Sequence, residues 1–158
     1  MAKKRTDKKH KDKCECGMCG ESGKDYAAWE AQMYAEYGFI MHFVTEHDDQ
    51  SPSGFNSHTH GMDILGHPDF QITLPLSMEA ISSFFHTMCN RVKKGEKFKH
   101  GDVIDDLCAG GYKVRLIEAE ECERTVLRMV FADKNNCYMP SDMSKNEAVA
   151  QYGFSERE

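Results

Sequence analysis

The stretch Phe55-Asn56-Ser57-His58-Thr59-His60-Gly61-Met62-Asp63-Ile64-Leu65-Gly66-His67-Pro68-Asp69-Phe70-Gln71-Ile72 reads as strand, turn and strand, and it sets the fold. Phe55 to His60 reads as a short strand, and Gly61 to Gly66 is long enough to reverse the chain. His67-Pro68-Asp69 leads into an apolar strand that runs from Phe70 to Leu76, with Pro75 marking its exit. Successive strand side chains point to opposite faces, so His58 and His60 emerge on one face, close enough to share a metal ion. His67 and Asp69, returning across the turn, are the candidates for a third ligand.

Working outward, the chain before this stretch supplies a helix and a strand. The helix is predicted over 24–37, with Ser22 as N-cap, Tyr26, Trp29, Met33 and Tyr37 on one face, and Gly38 as its stop. Phe39 to Thr45 follows as a strand, with Phe39, Met41 and Phe43 on one face and Ile40, His42 and Val44 on the other. Both faces are largely apolar, which predicts a place inside the sheet. Residues 46–54 form a polar, turn-rich loop.

After the stretch, Ser77 caps the strongest helix pattern in the chain, 78–94. Met78, Ile81, Phe84, Phe85, Met88 and Val92 form its stripe, Glu79 lies in the first turn, and Lys93 and Lys94 precede Gly95. Phe98 to Asp106 crosses to a short strand or turn. Tyr112 to Ala119 and Arg124 to Ala132 read as a hairpin. Ser144-Lys145-Asn146-Glu147 is a capping-box sequence for a last short helix ending near Gly153. The expected fold is α+β: a largely antiparallel sheet of about five strands covered by one long amphipathic helix, plus an N-terminal helix and a short C-terminal helix.

The 158 residues fit one domain. Residues 1–13 carry seven basic and two acidic side chains, a local charge of +5, which leaves −11 for the remainder of a chain whose total is −6. This predicts a disordered basic tail over 1–13 and a single acidic domain over 14–158. An acidic body argues against nucleic-acid binding except through the tail. No apolar run is long enough to span a bilayer, and the basic N-terminus is not followed by a signal-peptide h-region, so a cytoplasmic protein is expected.

Seven cysteines, an odd number, make a poor disulfide framework. Cys14, Cys16 and Cys19 form a Cys-x-Cys-x-x-Cys knuckle whose turn is eased by Gly17 and Gly20, a pattern suited to zinc. A fourth ligand would come from His10, from a histidine of the central stretch, or from a cysteine of a second chain; a redox pair at Cys16 and Cys19 is the other chemical reading. Cys89, Cys108, Cys122 and Cys137 read as free thiols. Met33, Met41, Met78, Met88 and Met129 fit core stripes.

Gly38-Phe39-Ile40, His58-Thr59-His60-Gly61-Met62, Gly66-His67-Pro68-Asp69-Phe70-Gln71-Ile72 and Val92-Lys93-Lys94-Gly95-Glu96-Lys97-Phe98, in this order and spacing, resemble the bacterial family known as domain of unknown function 4262. The cysteine knuckle and the Leu127-Arg128 strand followed by Asp133 extend the resemblance over residues 14–152. It implies a compact α+β domain and brings no activity, cofactor or catalytic residue with it.

Three functional readings follow. The first is a small zinc-binding domain, with metal at Cys14, Cys16 and Cys19, at His58 and His60, or at both. The second is a non-enzymatic module for a protein or small ligand, in which the histidines hydrogen-bond to loop backbone and to Asp63 or Asp69. The third is a metal-dependent hydrolase using His58, His60 and His67 or Asp69. A homo-oligomer is compatible with all three. No nucleophile elbow, phosphate-cradling glycine loop or His-x-His-x-Asp-His motif is present.

Overall fold

The computed structural model describes residues 24–44 and 51–157. The basic tail, the cysteine knuckle with Cys14, Cys16 and Cys19, His10 and the Ser22 cap lie outside the described residues.

Helix α1 spans Lys24–Tyr37. It ends where the sequence places its stop: Gly38 takes φ 80°, and its amide donates to the Tyr34 carbonyl at 3.0 Å. Strands β1 (Ile40–Val44) and β2 (Asn56–His60) pair antiparallel, and β2 pairs antiparallel with β3 (Asp69–Ile72). Helix α2 (Met78–Lys93) starts at Ser77, whose hydroxyl accepts the Ala80 amide at 3.2 Å. The short β4 (Val103–Ile104) leads to the hairpin of β5 (Val114–Glu121) and β6 (Arg124–Phe131), and helix α3 (Lys145–Tyr152) closes the chain.

The sheet has six strands in the order β1-β2-β3-β6-β5-β4. Four of its five described pairings are antiparallel, as expected, but β3 and β6 run parallel at its centre, so the sheet is mixed. Parallel neighbours need a crossover connection; here it carries α2, β4 and β5, so strands far apart in sequence meet. A second correction concerns β1. Among the described strands it lies at the sheet's edge, not inside it.

The main core lies between one sheet face and α2. Phe39, Phe70, Ile72, Leu116, Leu127 and Met129 meet Ile81, Phe85, Met88, Cys89 and Val92 there. Met78 is not part of the helix's buried stripe and is 57% exposed, while Cys89 takes a core position. A smaller cluster of Ile117, Val130, Met143 and Ala148 lies where α3 covers part of the opposite face.

The α3 cap differs from the sequence reading. The Ser144 hydroxyl is 3.1 Å from the Glu147 carboxylate, and the Ser144 amide donates to Asp133 at 2.8 Å. Asp133 thereby takes the role that the capping box would have had. Its carboxylate also accepts the amides of Asn135 and Cys137.

Candidate metal centre

Register assembles the site. His42 is opposite His58, His58 is opposite Gln71, Gln71 is opposite Arg128, and Arg128 is opposite Ile117. Residues directly opposite one another share a face, so this row crosses five strands on the face away from α2. His60, two residues beyond His58 and opposite Ile40, lies on the same face. The row is polar and almost wholly buried, with Asn56, His58 and Gln71 all at 0% exposure.

Three imidazoles converge at one end of this row. The ring centroids of His42 and His60 are 4.5 Å apart, those of His58 and His60 4.9 Å, and those of His42 and His58 5.2 Å. One ring nitrogen from each lies within 4.8 Å of the other two. Zinc–nitrogen bonds of about 2.0–2.1 Å put tetrahedral ligand nitrogens roughly 3.3 Å apart, so small ring rotations would complete such a site. His42 and His58 are buried and His60 is half-buried, with its Nε2 buried as well.

The polar row extends from His58 as a chain of hydrogen bonds. Arg128 Nε donates to Gln71 Oε1 at 2.8 Å, and Gln71 Nε2 donates to Asn56 Oδ1 at 3.0 Å. The same Asn56 oxygen lies 3.1 Å from His58 Nδ1. A second guanidinium nitrogen of Arg128 donates to the Gln151 carbonyl at 2.9 Å, which ties the row to α3. Burial pulls the Arg128 pKa down to about 10, so it stays a cationic donor at neutral pH.

On the far side of His58, its Nε2 lies 3.5 Å from Glu121 Oε1, and both side chains are fully buried. The β5–β6 turn delivers this carboxylate. Cys122 and Glu123 take φ 46° and 65°, as a two-residue hairpin turn with primed geometry requires, and Glu121 pairs with Arg124 across it. Arg124 donates to Glu121 at 2.7 Å, to Asp69 at 2.9 Å and to the Thr59 carbonyl at 2.7 Å. Burial works against the Arg124 charge, but Asp69 and Glu121 outweigh it and raise its pKa.

Two residues from the sequence reading fall elsewhere. His67 holds the bend: its Nε2 accepts the Phe98 amide at 2.9 Å, so Nδ1 carries the proton and donates to the Pro68 carbonyl at 2.7 Å. Asp69 accepts the Thr59 hydroxyl and the amides of Gly61 and Met62 in addition to Arg124. Burial pushes the Asp69 carboxyl up, against the pull of Arg124 and these donors. His67 and Asp69 thus fix the bend, and neither belongs to the histidine cluster.

The residue that the sequence reading missed is His42. Its strand phase was legible, since it alternates with Ile40 and Val44. Its partner was not, because the pairing of β1 with β2 is a tertiary choice. Cys89, Cys108, Cys122 and Cys137 are free thiols, and burial raises the pKa of Cys89. Among the described residues no helix is long and apolar enough to cross a membrane. Compared with known proteins, the chain matches no family model, no curated protein and no solved structure.

Proposed function

We propose that this protein binds a divalent metal ion of the zinc class through His42, His58 and His60. The observation that carries the reading is the convergence of three imidazoles on one buried sheet face, with a nitrogen of each within 4.8 Å of the others. Imidazole suits zinc, copper, iron and nickel, and three histidines with a fourth position left open is an arrangement that zinc adopts. The fourth position would be left for water or a small anionic ligand to complete the shell.

Elemental analysis of the purified full chain after loading with zinc and desalting tests this reading. Stoichiometric zinc is expected, with loss in His42→Ala and in the His58→Ala/His60→Ala double variant. Zinc should persist in the Cys16→Ser/Cys19→Ser double variant. Metal lost with the cysteines and kept without the histidines would move the site to the knuckle.

A second reading, a metal-dependent hydrolase, is favoured by Glu121. A buried carboxylate 3.5 Å from His58 Nε2 lies close to where a metal-bound water would sit. Bound water at zinc ionises near pH 7, and an adjacent carboxylate can take its proton. Zinc-dependent hydrolysis of an activated ester that is abolished by Glu121→Gln, with metal content retained, would support hydrolysis; equal rates in both proteins would leave the binding function alone.

A further inference from the structure

We propose that Arg128, Gln71 and Asn56 form a directional relay that holds His58 as its Nδ1–H tautomer and keeps Nε2 proton-free for the metal. The metal half of this statement rests on the site proposed above; the tautomer half does not.

The direction of the relay follows from chemistry at its far end. A guanidinium has donors and no acceptor. The Gln71 atom that meets Arg128 Nε at 2.8 Å must therefore be its oxygen. The other atom of the Gln71 side-chain amide is then the NH₂ group, which donates at 3.0 Å, so the Asn56 atom it meets must be the Asn56 oxygen. That oxygen can only accept, and His58 Nδ1 lies 3.1 Å from it, so Nδ1 carries the proton. A neutral imidazole has one N–H, so in the neutral ring Nε2 carries the lone pair, facing the Glu121 carboxylate at 3.5 Å.

Strand register holds the links in line. Arg128 is opposite Gln71, and Gln71 is opposite His58. The second Arg128 bond, to the Gln151 carbonyl, fixes the plane of the guanidinium. Metal-ligating histidines characteristically donate their other ring N–H to such a partner, and loss of that partner typically costs roughly 10–100-fold in metal affinity. Arg128, Gln71 and Asn56 are thus positioning residues that act through His58.

The near-isosteric change Gln71→Glu reverses the relay. Arg128 would still donate to one carboxylate oxygen, but the other could only accept. Asn56 would have to turn its NH₂ toward Glu, and the same group would then donate to His58 Nδ1, moving the ring proton to Nε2. Asn56→Asp keeps an acceptor for both neighbours and preserves the direction.

Long-range ¹H–¹⁵N spectra of metal-free protein at about pH 8.5, some two units above the ordinary imidazole pKa, read the tautomer. Zinc titration against a competing chelator reads the affinity. We expect Nδ1–H at His58 in the wild type and in Asn56→Asp, and Nε2–H in Gln71→Glu with affinity lowered roughly 10–100-fold. A wild-type His58 protonated at Nε2, or at both nitrogens, overturns the relay, and this needs no variant to fold. An inverted tautomer in Gln71→Glu with unchanged zinc affinity would overturn the link to the metal. A wild type with the expected tautomer and no stoichiometric zinc would sink the metal site and leave the relay standing.

Discussion

At the scale of single residues, two charged side chains tie elements together: the half-buried Arg124 beside the histidines and the buried Asp133 at the start of α3. Arg124 spans Asp69 on β3 and Glu121 on β5, and so joins the loop bend to the hairpin that brings Glu121 to His58. Removing one partner of such a group leaves buried charge uncompensated, and Arg124→Ala should cost about 3–5 kcal/mol in urea unfolding. Asp133 works the other way round, through backbone. Burial raises its pKa, but the amides of Cys137, Ser144 and Asn135 outweigh this and hold the carboxyl below its ordinary value. A depressed folded pKa contributes stability that is present above the unfolded value near 3.8 and is lost as pH falls through the folded value. Asp133→Asn should therefore be less stable than wild type at neutral pH, and the difference should shrink as pH falls through that window. Urea midpoints measured along the acid limb check this, and a difference that grows toward low pH would contradict it.

At the scale of elements, the close approach of α1, β1 and β2 depends on Gly61. It has φ 131°, and an added Cβ would lie 2.8 Å from the Gly38 carbonyl oxygen and 3.0 Å from Phe39 Cα. Those neighbours are backbone and cannot swing aside. Gly61→Ala should cost about 1–3 kcal/mol by overpacking, with backbone strain added. It should also weaken zinc binding, because the crowded backbone is the strand end that sets His42 opposite His58. Helix α2 is a different case. It touches the sheet face away from the histidines, and Phe85 is fully buried there. Phe85→Ala should lower stability by about 3–5 kcal/mol. Under conditions where the variant is still folded, its zinc stoichiometry should be that of the wild type.

At the scale of the whole molecule, the proposed metal would be linked to folding. The three histidines come from two different strands, and the unfolded chain does not hold them together. A ligand at a thousandfold excess over its Kd adds about 4 kcal/mol to the stability of the folded state. For a domain of about this size each kcal/mol moves the Tm by about 2–4 °C, so zinc should raise it by roughly 8–16 °C. The His58→Ala/His60→Ala variant should show no such rise in calorimetry. An equal rise in the variant would place the stabilising ion elsewhere in the chain.

Much of the element list was legible in the sequence because it rests on local physics. Turn signals on either side mark β2, a wide apolar stripe with Ser77 and Glu79 marks α2, and Gly38 stops α1 through a backbone angle that other residues avoid. The face shared by His58 and His60 follows from the two-residue period of a strand. What tertiary structure alone decided is which strands lie side by side. The parallel pairing of β3 with β6 puts Arg128 beside Gln71 across 57 positions of sequence, and the pairing of β1 with β2 brings His42 to His58. Periodicity tells a side chain which way to face, but its partner is chosen by the packing of the whole sheet. For that reason His42 enters the candidate site and His67 and Asp69, despite lying nearer in sequence, leave it for the bend.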